Sequence, residues 1–163
     1  GPVFLGRKDL NFAKIEVAKL PYYQNSKFDL KEVLAGADVF IGVSGSGKLT
    51  PAIIPKMAPK PVIFALSNPN PEIMPNEAKT AGAAVVATGR SDFKNQVNNA
   101  LVFPGIFKGA LTARAKKITL RMKVAAVKAL AAQVGKPSAE NILPQALDKK
   151  VAESIAKAVI AVA

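Results

Sequence analysis

The sequence predicts an α/β fold: a doubly wound parallel sheet followed by C-terminal helices. Three observations predict it. Three continuous apolar runs, at residues 38–43, 61–67 and 84–89, lack the alternation of half-buried strands, so they read as strands buried on both faces. Helix-like stretches stand between them, and strand alternating with helix is the rhythm of a parallel sheet. The last third is rich in Ala and in helical spacings.

Taken in order, Val3 to Leu5 reads as a short strand. Leu10, Ala13, Val17 and Leu20 recur at helical intervals, which predicts a helix over 10–20. The stretch 28–35 repeats the pattern and Gly36 stops it. After the first buried strand, Thr50 followed by Pro51 has the form of an N-cap with proline at the first helical position, which predicts a helix over 51–57. The second strand ends at Asn68-Pro69, and a helix over 75–81 is stopped by Gly82. Beyond the third strand, helical stretches at 98–103 and 107–115 flank Pro104-Gly105, which reads as a break. Thr119 caps a helix through Val134, ended by Gly135 and Pro137, and a last helix starts near Asp148 and runs to the C-terminus.

Composition excludes several chemistries. The chain of 163 residues contains no Cys and no His. Disulfides, thiolate or imidazole metal sites, a cysteine nucleophile and Ser–His–Asp catalysis are thereby ruled out within it. Half of the residues are hydrophobic and 21% are charged, so the chain has material for a core and does not read as disordered. No stretch approaches the length of a membrane span, and the N-terminus has no basic-then-apolar leader pattern, so a cytoplasmic setting is expected. The formal charge is +12, with Arg114, Lys116, Lys117, Arg121, Lys123 and Lys128 crowding the C-terminal third. Such an excess suits nucleic acid. No helix-turn-helix signature or aromatic stacking platform accompanies it, and the charge reads as the solvated face of Ala-rich helices.

The candidate site lies in the loops after the strands, because ligands of open α/β sheets bind outside the carboxyl ends of the strands. Three loops qualify, at 42–48, 67–72 and 88–92, all rich in Gly, Ser and Asn. Gly42, Gly47 and Lys48 satisfy the G-x-x-x-x-G-K part of a phosphate-binding loop, but Leu49 stands where the metal-binding hydroxyl belongs and Thr50 comes one place late. A one-residue shift turns a helical side chain by about 100°. A plain glycine-rich turn and a dinucleotide-contacting loop both fit this segment. Asn68 is either a turn asparagine or a ligand contact. Asn98 and Asn99 form a pair; one amide suffices for a cap, and two offer donors and acceptors to a carboxylate or carboxamide.

Longer segments carry a resemblance. They are G-A-D-V-F-I-G-V-S at 36–44, F-A-L-S-N-P-N-P-E-I at 64–73, A-T-G-R-S-D-F-K-N-Q-V-N-N-A-L-V-F-P-G-I-F-K-G-A-L at 87–111 and I-T-L-R-M-K-V-A-A-V-K-A-L-A at 118–131. With G-P-V-F-L-G-R at 1–7 and L-N-F-A-K at 10–14, these resemble the cofactor domain of the malic enzymes in their smaller bacterial and archaeal form. The resemblance implies a partial Rossmann-like sheet lacking its first βα unit over 1–111, with the helices of 112–163 packed on the same domain. It implies malate oxidation with NAD or NADP, decarboxylation to pyruvate, and Mg²⁺ or Mn²⁺ dependence. It implies that Asn68 and Asn99 hydrogen-bond the substrate carboxylate and that Asn98 sits near nicotinamide and substrate. Val43, Ser44 and Gly45 would lie against the cofactor, with Gly89 in the facing loop.

The departures from the family pattern shape the expectation. The G-x-G-x-x-G fingerprint is absent, and the family's ribose-binding acid, Tyr–Lys catalytic pair and three metal carboxylates would lie before residue 1. Tyr22 and Tyr23 do not match the catalytic position. No catalytic or metal-ligating residue is therefore assigned within the chain, which reads as a C-terminal fragment, inactive alone and a weak binder of dinucleotide at best. Its expected partners are malate or pyruvate, the missing N-terminal half and further copies in a homo-oligomer. Three other readings stand beside this one: a non-catalytic binding or regulatory module of the same fold, a nucleoside triphosphate binder using residues 42–48, and a basic nucleic-acid binder.

Overall fold

The sheet has three strands, β1 (Val39–Gly42), β2 (Val62–Ala65) and β3 (Val85–Thr88), all parallel and in the order β1-β2-β3. They fall inside the three apolar runs predicted for them. The structure, a computed structural model, describes residues 3–20, 29–146 and 148–163. Tyr22, Tyr23 and Phe28 lie outside the described residues. The helices are α1 (Phe12–Ala18), α2 (Leu30–Val33), α3 (Pro75–Thr80), α4 (Phe103–Thr112), α5 (Leu120–Ala131) and α6 (Lys149–Ile160).

Register explains the core. Phe40, Ile63 and Val86 stand side by side across the strands, as do Gly42, Ala65 and Thr88. These rows share one face, and both are buried. Because the strand order advances in one direction, right-handed crossovers keep both connections on that face. The first supplies Leu49, Ile53, Ile54 and Met57 to the core, and the second supplies Ile73 and Ala78. Each fully buried aliphatic side chain of this size contributes roughly 1.5–3 kcal/mol.

The opposite face departs from the expectation of burial on both sides. Val39 and Ile41 on β1 are 46% and 63% exposed, and Val62, Phe64 and Val85 are half-buried. A doubly wound sheet carries helices on both faces; among the described residues only one face is layered by the crossovers. β1 is an edge of this three-stranded sheet, which leaves its outer face uncovered among the described residues.

Several element predictions need correction. Residues 3–5 form no strand and end in a turn. Residues 51–57 form turns and a short 3₁₀ helix, Ile54–Lys56, not an α-helix. Pro55 has no N–H to give back to residue 51, so an α-helical ladder cannot form there. Thr50 still opens the segment, accepting from the Ile53 N–H at 3.0 Å through its backbone carbonyl. Pro104-Gly105 is no break: α4 runs through both, and the Ile106 N–H reaches the Val102 carbonyl at 3.0 Å. Proline is tolerated in the first helical turn, where its missing N–H has no partner to lose. The helix begun by Thr119 ends at Ala131, short of Val134.

The remaining ends follow the sequence. The Asn11 side chain caps α1, accepting from the Lys14 N–H at 3.0 Å. Asp29 and Glu32 form a reciprocal capping box on α2. Thr119 and Asp148 cap α5 and α6. Helices α4, α5 and α6 enclose a second core of Ile106, Ala110, Met122, Ala126, Val151, Ile155 and Val159. Gly105 and Gly109, one turn apart, lie against α6: a Cβ on Gly105 would stand 2.6 Å from Ile155 Cβ, and one on Gly109 would stand 2.7 Å from Val159 Cβ.

Asn95 ties β3 to the segment between α5 and α6. It is buried, with φ +56°. Its amide donates to the Val86 carbonyl at 3.0 Å and the Ala139 carbonyl at 2.8 Å, and accepts from the Ile142 N–H at 3.0 Å. A Lys79–Glu140 ion pair links α3 to the same segment at the surface.

Candidate functional site

The carboxyl ends of the three strands open into loops on one edge of the sheet. The loop after β1 and the loop after β2 enclose an open cleft of about 520 Å³ lined by Val43, Ser44, Gly45, Ser46, Asn68 and Asn70, among others. That size falls in the range of roughly 300–1,000 Å³ typical of small-molecule sites. Val43, Ser44, Gly45 and Asn68, all expected at the site, are thus brought together.

Gly89 joins them from β3. A Cβ there would stand 3.0 Å from Asn68 Nδ2 and 3.3 Å from the Leu66 carbonyl, so the absent side chain gives the Asn68 amide its place. Past Gly89 the chain returns beside β3. Thr88 and Gln96 form a parallel bridge, and the Val97 N–H donates to the Thr88 carbonyl at 2.8 Å. This carries Asn98 and Asn99 to the same sheet edge, on the β3 side and outside the cleft lining. Asn98 takes the capping role weighed from sequence: its Oδ1 accepts from the Ala100 N–H at 2.9 Å and starts a 3₁₀ turn, Asn99–Leu101. The Asn99 side chain is exposed and makes no hydrogen bond with the described residues.

Sequence reasoning missed Glu72 as a site residue. Its side chain is fully buried. Oε1 accepts from the Ser44 N–H at 2.9 Å and from Ser67 Oγ at 2.6 Å, and Oε2 accepts from the Ser67 N–H at 3.2 Å. Burial pushes this carboxyl up, but the hydrogen bonds from Ser67 Oγ, Ser44 and Ser67 outweigh it and hold the group below its ordinary value. The carboxylate rests on Gly42, where a Cβ would stand 2.5 Å from Glu72 Cδ. An acid at the end of S-N-P-N-P-E gives no local signal of burial; only the convergence of three N–H and O–H donors from separate loops reveals it.

The same network tells against the phosphate-loop reading. The Ser44 N–H faces Glu72 and the Gly45 N–H donates to Ser67 Oγ at 2.8 Å, so these amides already serve internal acceptors. No α-helix opens directly after residues 42–48, where the chain makes turns before the short 3₁₀ helix, and Leu49 is buried in the core. A phosphate loop needs free amides at a helix N-terminus.

Arg90 braces the far side of the loops. Its guanidinium pairs with Asp92 at 2.7 and 2.9 Å, donates to the Pro69 carbonyl at 3.4 Å and lies over the Phe93 ring at 5.1 Å. Among the described residues no group of three His, Cys, Asp or Glu side chains is placed to hold a metal ion. The described residues therefore do not by themselves fit a metal centre. No helix among them is long and apolar enough to cross a membrane.

Comparison with known proteins places this arrangement. The family model described as malic enzyme, NAD binding domain, matches residues 5–163. A bifunctional malic/malolactic enzyme of Bacillus subtilis (strain 168) is 52% identical over 162 residues, covering 98% of this chain and 40% of that protein. An NADP-dependent malic enzyme of Halomonas elongata is 47% identical over 150 residues, covering 91% of this chain and 34% of that protein. The crystal structure of an NAD-dependent malic enzyme from Thermotoga maritima superposes with a TM-score of 0.85 at 50% identity, covering 93% of this chain and 40% of that one. The chain thus spans well under half the length of these relatives. Its three parallel strands with their helices match part of a Rossmann-like dinucleotide domain, and the chain belongs to the malic enzyme family, within its NAD-binding domain.

Proposed function

We propose that these residues form the cofactor- and substrate-facing part of a malate oxidoreductase that uses NAD⁺ or NADP⁺ and decarboxylates its product to pyruvate. The observation that carries this reading is the setting of Asn68. Its amide lies against Gly89 at the carboxyl edge of the sheet, in the wall of the cleft formed by Val43, Ser44 and Gly45. Val43 and Gly45, facing a carboxamide donor, suit a flat ring beside a small carboxylate. When bound, the dinucleotide supplies the hydride acceptor. The chain's own contribution is positioning: Asn68 and Asn99 donate to the malate carboxylate, and Asn98 stands near ring and substrate. The Mg²⁺ or Mn²⁺ of the family has no ligand set among the described residues.

The reading takes residues 1–111 as part of the dinucleotide domain and 112–163 as helices packed on it. The bonds of Asn95 to Ala139 and Ile142, and the core that α4 shares with α5 and α6, support this. It also takes a cytoplasmic setting and a homo-oligomer that includes the rest of the polypeptide as the working form.

The test uses the purified polypeptide that carries these residues, with malate, NAD⁺ or NADP⁺, and Mg²⁺ or Mn²⁺. Malate-dependent reduction of dinucleotide with matching pyruvate is expected; its absence with both dinucleotides refutes the reading. A hydrogen bond to a charged group is worth roughly 1.5–3 kcal/mol, so Asn68→Ala and Asn99→Ala should each raise the malate KM about 10- to 100-fold. The 163-residue chain by itself is expected to show no turnover.

A further inference from the structure

The one fully buried carboxylate among the described residues is not used by the reading above, and it sits between the two loops that reading needs. Glu72 follows β2 in sequence, yet its Oε1 accepts from the backbone of the loop after β1, at Ser44, and from the hydroxyl of the loop after β2, at Ser67. The Ser67 hydroxyl has a single proton, and the 2.6 Å bond to Oε1 commits it. The lone pairs of Ser67 Oγ are then turned toward the Gly45 N–H, which donates at 2.8 Å. A relay runs from Gly45 through Ser67 to Glu72, with a second branch from Ser44. Asn68 is the next residue after Ser67, whose own N–H is held by Oε2 at 3.2 Å.

We propose that Glu72, acting through Ser67, is a positioning residue that sets the cofactor-side turn at Ser44 and Gly45 and the substrate-side amide of Asn68 together, so that dinucleotide and malate affinity depend on one buried anion. The proposal rests on the malate-oxidising reading. The chemistry of the cluster is specific to a carboxylate. Three donors converge on two oxygens. A carboxamide at this position would turn an NH₂ group toward one of the donors. The carboxylate also lies directly on Gly42, where a side chain would displace it. Glu72 does not line the cleft, and Ser67 borders it with its hydroxyl proton committed to Glu72; displacement of a positioned group by about 1 Å is enough to cost on the order of 100-fold in rate.

The experiment compares wild type, Ser67→Ala, Ser67→Thr and Glu72→Gln in the full polypeptide, well below the unfolding temperature of each. The readouts are the NADH or NADPH dissociation constant by fluorescence titration and the malate KM. Removal of the Ser67 hydroxyl should weaken both constants by about tenfold, the effect of one lost charge-assisted bond. Ser67→Thr keeps the hydroxyl and should recover most of the loss. Glu72→Gln should move both constants in the same direction. Variants that lose only thermal stability, with both constants unchanged, overturn the proposal, as does a change confined to one of the two. A wild-type protein that binds dinucleotide but oxidises no malate refutes the proposed function instead. The positioning role is then decided by the dinucleotide constant, and an unchanged value in Ser67→Ala overturns it. A wild-type protein that binds no dinucleotide overturns both.

Discussion

Replacing Gly109 with alanine sets two known effects against each other. In an exposed helix the change is favourable by about 0.8–1.0 kcal/mol, because glycine loses more backbone entropy. In α4 the new methyl group would stand 2.7 Å from Val159 Cβ, 2.8 Å from Val159 Cγ1 and 2.8 Å from the Ala156 carbonyl oxygen. Carbon atoms pack at about 3.5–4.0 Å, so α4 and α6 must separate by roughly 1 Å or more. The obstacles are a β-carbon and a backbone oxygen, neither of which moves without moving α6. Overpacking of a tight core costs typically 1–3 kcal/mol, and the rigidity of these neighbours puts this site at the upper end. After the propensity gain, a net loss of about 2 kcal/mol is expected. Gly105 meets the same obstacles, with Ile155 Cβ at 2.6 Å and the Ala152 carbonyl at 2.7 Å. The two changes should not add. Once one methyl has pushed the helices apart, the second enters space already opened, so the double variant should lose clearly less than the sum. Urea unfolding followed by circular dichroism measures this as a change in midpoint at constant slope. A Gly109→Ala protein more stable than wild type by about 1 kcal/mol would mean that propensity alone acts and that α4 and α6 are not in close contact.

Two further predictions concern the buried polar groups. The Glu72 carboxyl is held below its ordinary value in the folded chain, so its contribution is fully present above the unfolded value of 4.5 and is lost as pH falls through the lower folded value. Acid should therefore destabilise wild type in the window just below pH 4.5, and Glu72→Gln should remove that part of the pH dependence; identical acid titrations of stability in the two proteins would contradict the network. Asn95→Ala removes the amide that serves Val86, Ala139 and Ile142 and puts a residue with no αL preference at φ +56°. A loss of about 3 kcal/mol or more is expected from unpaired buried groups and backbone strain, read from the urea midpoint, and Asn95→Gly should recover only the strain component.

The sequence alone determined the elements whose signals are local. The three apolar runs become β1, β2 and β3, because a strand buried in a parallel sheet needs only a short unbroken apolar stretch. Thr119 and Asp148 start their helices where expected, since a cap is a bond between a side chain and a backbone three or fewer residues away. The residues of the candidate site could be named for the same reason: they lie at strand ends, and the segments around them are long enough to carry a family resemblance.

Tertiary structure decided what depends on residues far apart in the chain. Pro104-Gly105 reads locally as a break, yet both lie inside α4, and α6 passes too close to Gly105 for any side chain there. Asn98 and Asn99 look equivalent in sequence, but the fold spends the oxygen of Asn98 on a cap and leaves Asn99 exposed. Glu72 is the clearest case. Nothing within S-N-P-N-P-E marks it as buried, because the Ser44 donor lies 28 residues away and meets it only once β1 and β2 are paired. A charge is stable out of water only where donors converge on it, and convergence from separate loops is a property of the folded sheet edge.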